Sequence, residues 1–347
     1  MYDYDGTPVS AAEEVAQIEM ERPHVVLLGA GASRAAFPNG DANWHKLPLM
    51  ADFIDIVPIR RLLDQVGFDY KNRNFEDIYA ALHNTPHLIS VCEELESIVY
   101  NYFSALSLPN IPTLYDHLVL SLRKKDFIVT FNWDPFLIQA IRRNKKVLQD
   151  EAPIPLFLHG NVEFGYCQPN DIHRDFVHGV RGFSCDLCGM PLKESKLLYP
   201  ISNKNYDQDA GIIDAWKRVK RAFESAFMIT IFGYGGPQSD FAAIELLNNA
   251  WGGGENRRME EIEIVDVRSK HDLLKSWEIF IHTHHYDITS DAYTSWMFTH
   301  PRRTGEAYLN NIIKGYFIED NCLPRNASFP ELWNWFKPLL DVERNQI

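Results

Sequence analysis

Apolar residues in this chain gather in short runs set between longer amphipathic stretches. The clearest run, His24-Val25-Val26-Leu27-Leu28, breaks off at Gly29-Ala30-Gly31-Ala32-Ser33. Aliphatic, partly β-branched and stopped by glycine, it predicts a buried parallel strand turning into a helix that begins near Ser33. Between 45 and 125 no clear strand occurs, and the periodicity predicts helices over 50–57, 58–66, 75–83, 87–104 and 113–124. A second strong strand is expected over 124–131, a helix over 136–144, and a short strand over 155–158 that stops at His159-Gly160. Residues 161–210 read as irregular. A helix over 212–226 then feeds a buried strand over 227–232, which ends in Gly233-Tyr234-Gly235-Gly236. Residues 241–250 read as helix, 261–266 and 277–282 complete the strands, and 283–347 reads as helical and aromatic-rich.

Strands alternating with helices predict an α/β fold. The expected form is a doubly wound parallel, Rossmann-like sheet with a helical subdomain inserted over 45–125 and a helical C-terminal extension. The expected division is an arm over 1–20, a main domain over 21–285 and an extension over 286–347, with 161–210 an irregular cysteine-containing segment. In such sheets ligands sit beyond the carboxyl ends of the strands. Here four strands end in polar clusters: Gly29–Ser33, Asn132–Asp134, His159–Gly160 and Gly233–Ser239. Their convergence on one rim outweighs any single motif.

Composition narrows the classes. The chain has 347 residues with 34 basic against 47 acidic side chains, a net charge of −13. So acidic a chain is not expected to hold nucleic acid directly, because that needs clustered Lys and Arg. No apolar run reaches the length of a membrane span, and the first residues lack a signal peptide's basic and apolar regions. Five cysteines without a paired framework suit a reducing cytoplasm. Gly29 and Gly31 let backbone approach a ligand closely, and the helix after them favours a phosphate. Arg34 stands where the ordinary dinucleotide fingerprint has its third glycine, so a different nucleotide site is expected.

Gly29-Ala30-Gly31-Ala32-Ser33, then Thr130-Phe131-Asn132-Trp133-Asp134, then Leu158-His159-Gly160 resemble, in order and at strand ends, the hallmark motifs of the sirtuin family. The resemblance spans about 24–285 and includes Gly233-Tyr234-Gly235 with Ser239-Asp240, and Val265-Asp266. Asn74-Phe75-Glu76-Asp77 is more similar to bacterial sirtuin-like proteins of antiviral defence than to protein deacylases. Three departures point the same way. Phe37-Pro38-Asn39-Gly40-Asp41 replaces the deacylases' continuation of the first motif, one Cys-x-x-Cys pair stands for two, and the peptide-gripping segment is missing from 197–209.

The resemblance implies NAD+ as substrate and a bond cleaved between nicotinamide and ribose. His159, which titrates near neutrality, is the candidate base. Asn132 would orient ribose and attacking water. Asp134 would face the developing sugar cation, hold Asn132 or cap the following helix; these roles are compatible. Gly29, Ala30, Gly31 and Ser33 would hold the pyrophosphate, Ser239 with Gly233 and Gly235 a phosphate or ribose oxygen, and Asp266 the adenosine ribose. Asp41 or Asn39 would meet the nicotinamide amide. Cys185-x-x-Cys188 with Cys167 and either His173 or His178 has the makings of a structural zinc site, or is simply buried. His282 and His284, on one face of the expected strand, read as a strand end and not as metal ligands.

The leading expectation is an NAD+ glycohydrolase that depletes NAD+ in antiphage defence. A homo-oligomer is expected, with a HerA-type ATPase as candidate partner. An NAD-dependent protein deacylase and a non-catalytic sensor of NAD or ADP-ribose are the alternatives.

Overall fold

The computed structural model describes residues 7–167, 184–185, 187–200, 210–255 and 257–345. In chain order they form α1 (Ala11–Ala16), β1 (His24–Leu28), α2 (Ala30–Ala36), α3 (Phe53–Ile56), α4 (Arg60–Gln65), α5 (Phe75–His83), α6 (Ile89–Ser104) and α7 (Leu114–Ser121). There follow β2 (Phe127–Thr130), α8 (Phe136–Leu148), β3 (Ile154–Phe157), β4 (Gly165–Tyr166), β5 (Lys193–Glu194), α9 (Ala210–Ser225) and β6 (Met228–Phe232). The chain continues through α10 (Phe241–Trp251), β7 (Glu261–Val265), α11 (Lys270–Trp277), β8 (Tyr286–Thr289), α12 (Trp296–Thr299), α13 (Thr304–Tyr308) and α14 (Phe329–Arg344).

Among these, six strands make one wholly parallel sheet in the order β3-β2-β1-β6-β7-β8. Alternate residues of each strand bury on opposite faces. Val26, Leu28, Ile128 and Phe157 pack against the inserted helices and α14, while Val25, Leu27, Val129, Leu156, Ile229 and Ile231 pack against α9, α10 and α11. Burial on both faces explains why β1 reads as an unbroken apolar run. The expected doubly wound α/β architecture is therefore present, with helices α3–α7 inserted between β1 and β2.

Register places the site. Leu28 is paired with Thr130 and Phe232, Thr130 with Phe157, Phe232 with Val265, and Val265 with Thr289. The carboxyl ends are flush, and the residues just past them share one rim. The chain switches direction of winding between β1 and β6, the place where open α/β sheets open a crevice.

Two expectations need correction. The segment 277–282 is not a strand: Trp277 closes α11, and the sixth strand is β8, Tyr286–Thr289. Ser269 caps α11 by accepting from the Asp272 amide, and Leu273 and Trp277 bury one turn apart. That spacing is helical. His282 and His284 accordingly precede β8, and His282 Nε2 donates to the Gly252 carbonyl at 2.8 Å. The helix after β1 starts at Ala30, three residues before Ser33, so Ser33 lies inside it.

The C-terminal segment is fastened to the end of α7 and to its own α14 by buried charges. The Arg302 guanidinium reaches Glu343 on α14 at 2.5–3.1 Å and donates to the carbonyls of Leu120 and Leu122 at 3.0 and 2.7 Å. Arg303 Nη1 meets the same carboxylate at 2.6 Å.

Candidate active site

A cavity of about 560 Å³ lies beyond the flush strand ends, a volume suited to a small-molecule ligand. Its wall includes Gly29, Ala30, Gly31, Ser33, Asn132, Asp134, His159, Gly233, Gly235, Ser239 and Asp266. Residues from five strand ends, those of β1, β2, β3, β6 and β7, are thus brought together. Asp41 and Asn39 are not among its lining residues. The Asp41 carboxylate is spent on backbone, accepting from the amides of Asn43 and His45 in its own loop and of Ser107 just past α6 at 2.8–2.9 Å.

The glycines act differently from expectation. A Cβ on Gly29 would stand 2.5 Å from the Tyr234 Cα, one on Gly31 would stand 2.7 Å from the Gly233 carbonyl oxygen, and Gly31 N–H donates to that oxygen at 2.9 Å. Gly233, at φ +60°, closes the contact from the other side. Their want of a side chain lets the β1–α2 and post-β6 turns interlock across the switch point. The Gly31 amide is therefore already satisfied and is not free for a phosphate.

Ser33 sits at the centre of a buried network. Its hydroxyl donates to Asp134 Oδ2 at 2.6 Å and lies 2.7 Å from the Tyr115 hydroxyl, while Asn132 Nδ2 donates to it at 3.0 Å. Because the Ser33 proton goes to Asp134, Tyr115 is the donor in its contact. Asn132 Nδ2 also donates to the Gly29 carbonyl at 2.9 Å, which fixes the amide and keeps Oδ1 as its acceptor. Burial pushes the Asp134 carboxyl up to about 6, against the hydrogen bonds that favour its charge, and holds the Tyr115 phenol well above its ordinary range. Ser33 thus positions Asn132 and Asp134, and the pyrophosphate contact expected of it is not its hydrogen bonding here. Asn161, just past β3, donates to the Asp134 carbonyl at 2.6 Å and ties the third strand end to the second.

His159 packs edge-on against Phe131 with centroids 4.7 Å apart, and Phe131 stacks on Tyr234 at 4.3 Å. Its Nε2 lies 3.7 Å from Asp240 Oδ1, and the Tyr234 hydroxyl donates to the other Asp240 oxygen at 2.8 Å. His159 and Asp240 are both buried. Asp240 enters the sequence reading only within the Ser239-Asp240 resemblance and without a role of its own, and Tyr115 and Arg268 are not singled out there. The Tyr-x5-Asp spacing carries no periodicity, and Tyr115 reads as one more apolar helical position.

At the opposite end, beyond β7, Asp266 lines the cavity but is engaged by Arg268, whose Nη2 lies 3.0 Å from Oδ2. Ser239, in the short helical turn Gln238–Asp240, also lines the cavity.

Outside this cavity, Cys167 follows β4, and Cys185 and Cys188 form a tight turn in which Gly189 N–H donates to the Cys185 carbonyl at 2.8 Å. The three sulfurs lie within 4.8 Å of one another, Cys167 and Cys188 at 3.3 Å. Tetrahedral zinc thiolates stand about 3.8 Å apart, so the three fit one ion. The amides of Leu187 and Cys188 hold the Cys185 thiol below its ordinary value, the arrangement a thiolate ligand needs. His173 and His178, the candidate fourth ligands, lie outside the described residues.

No protein-family model matches this chain, and no curated protein matches it. Among solved structures it is similar to a Sir2 homologue in complex with NAD, at 15% identity over 85% of this chain and 89% of that one, TM-score 0.38. A variant Sir2 homologue with ADP-ribose is similar at 13% identity over 96% and 95%, TM-score 0.35. A structure described as bearing on the mechanism and regulation of Sir2 enzymes is similar at 14% identity over 97% and 96%, TM-score 0.37.

Proposed function

We propose that this chain is an NAD+ glycohydrolase, releasing nicotinamide and ADP-ribose. The observation that carries the reading is the meeting of Asn132, Asp134 and His159, from two adjacent strand ends, on one cavity at the sheet's switch point. Cleaving the glycosidic bond leaves positive charge on the ribose, and the protein's task is to position groups and control water. Asn132 Oδ1, its amide locked by Gly29 and Ser33, is the acceptor that orients the ribose or the attacking water. His159 takes the proton, and Asp240 at 3.7 Å stabilises the imidazolium. Asp134, ionised above pH 6, places a negative charge near the sugar.

The motif resemblance supports a role in antiphage defence, cytoplasmic and homo-oligomeric, with a HerA-type ATPase as partner. The three cysteines would hold a structural zinc, which supplies folding energy and no chemistry. One observation favours a second reading, NAD-dependent protein deacylation: part of the cavity wall is apolar, with Leu47, Met50, Phe53, Phe103 and Leu198, and would take an acyl chain.

The product separates the two. The hydrolase yields ADP-ribose from NAD+ at a rate unchanged by an acetylated peptide. A rate that appears only with peptide, and acyl-ADP-ribose as product, makes it a deacylase. Saturable NAD+ binding without turnover makes it a sensor.

A further inference from the structure

The far end of the cavity has a charge pattern that plain NAD+ does not require. Arg268 donates its own amide to Asp266 Oδ1 at 2.9 Å, lays Nε 3.2 Å from each carboxylate oxygen and places Nη2 3.0 Å from Oδ2. These contacts bring three donor hydrogens, that of Nε shared between both oxygens, to a carboxylate with about four acceptor positions. A ribose diol seeking both oxygens must therefore displace the guanidinium. A phosphate meets it directly.

The rest of this end agrees. Arg268 Nη1 reaches the Gly235 carbonyl only at 3.5 Å, and the Gly235 Cβ position has nothing within 4 Å, so there is space beside it. A second guanidinium, that of Arg325, lies 4.0 Å above the Tyr293 ring and 3.8 Å from Asp291, just past β8. Among the described residues, Arg268 and Arg325 are the Lys or Arg side chains on the cavity wall. Both stand at the β7–β8 edge, away from Asn132 and His159, where a sugar cation develops and a fixed positive charge would oppose it. An arginine beside the ribose-binding carboxylate is the general device by which nucleotide sites take a 2′-phosphate.

We propose that this end binds a 2′-phosphorylated ribose, making NADP+ a substrate at least as good as NAD+; the inference rests on the dinucleotide reading above. Water adds its oxygen to the nicotinamide ribose C1′, nicotinamide leaves with the bonding pair of the glycosidic bond, and His159 takes the water's proton. The products are nicotinamide and ADP-ribose 2′-phosphate.

The test is calorimetric titration of the full chain with ADP-ribose and with ADP-ribose 2′-phosphate, using wild type, Arg268→Gln and, on an independent element, Arg325→Gln. Wild type is expected to bind the 2′-phosphate compound at least as tightly. Arg268→Gln is expected to weaken that compound about tenfold or more while changing ADP-ribose less than threefold, with Arg325→Gln acting in the same direction. Tenfold tighter binding of ADP-ribose by wild type overturns the inference alone. So does an equal loss for both compounds in Arg268→Gln, which would make Arg268 a support for Asp266. Binding of neither compound overturns the dinucleotide reading and this inference with it.

Discussion

Asp134 is wholly buried, and burial pushes its carboxyl up to about 6 although Ser33 donates to it. In the unfolded chain it ionises near its ordinary value, so between about pH 4 and 6 the folded chain holds a proton the unfolded chain has lost. Stability therefore falls as pH rises through that window, by about 3 kcal/mol from this group. Glu263, raised to about 7 by burial on β7, acts in the same direction at higher pH, so the comparison must be made against a single variant. Asp134→Asn is expected to flatten the change in stability between pH 4 and 6 and to unfold at higher urea than wild type at pH 7.5. An unchanged pH dependence in urea titrations would contradict the burial argument. At this scale the sequence was most legible where a side chain's chemistry is unusual at its position. Asn132 and His159 stand out at strand ends, whereas the pairing of Asp240 with His159 and the place of Tyr115 come from packing that no local pattern encodes. Asp41, conspicuous after Pro38 and Gly40, turns inward because it satisfies two amides of its own loop and that of Ser107 past α6.

Among elements, the interlock of the two glycine turns decides whether the strand ends stay flush. Gly233 has φ +60°, and a Cβ there would lie 2.2 Å from the Ala32 backbone nitrogen. Gly233→Ala is expected to cost about 2–4 kcal/mol, from backbone strain and overpacking together, as read by chemical denaturation. Wild-type stability in that variant would mean that the turns are looser than the contact requires. The cysteine turn makes a separate prediction. Purified protein should carry about one zinc per chain, and Cys185→Ser or a strong chelator should lower the melting temperature and release the metal. Protein free of zinc by metal analysis, with a melting curve indifferent to chelator, would leave the cysteines as buried thiols. Helices were read well where a cap and a periodic face coincide, as at α5, which Asn74 caps and whose Phe75, Ile78, Tyr79 and Leu82 bury. The failure at α11 has the same origin in reverse. The run Ile279-Phe280-Ile281 is continuously apolar and rich in β-forming residues like a buried strand, whereas the Leu273–Trp277 spacing that decides the fold here is helical.

For the molecule as a whole, strand alternation and strand-end chemistry gave the doubly wound sheet and the cavity's position. They did not give the switch point, because the pairing of β1 with β6 joins residues some 200 apart through backbone bonds that carry no side-chain signal. Nor did they show that the segment past β8 enters the cavity wall through Tyr293 and Arg325. The central claim is that one end of this cavity breaks the bond between nicotinamide and ribose. Nicotinamide release from NAD+ and NADP+ by the purified chain, beside Asn132→Ala and His159→Ala variants shown to be folded, tests it most directly. The account predicts release by wild type without any peptide, and a loss of about a hundredfold or more in each variant. Release at the wild-type rate by either folded variant would contradict it.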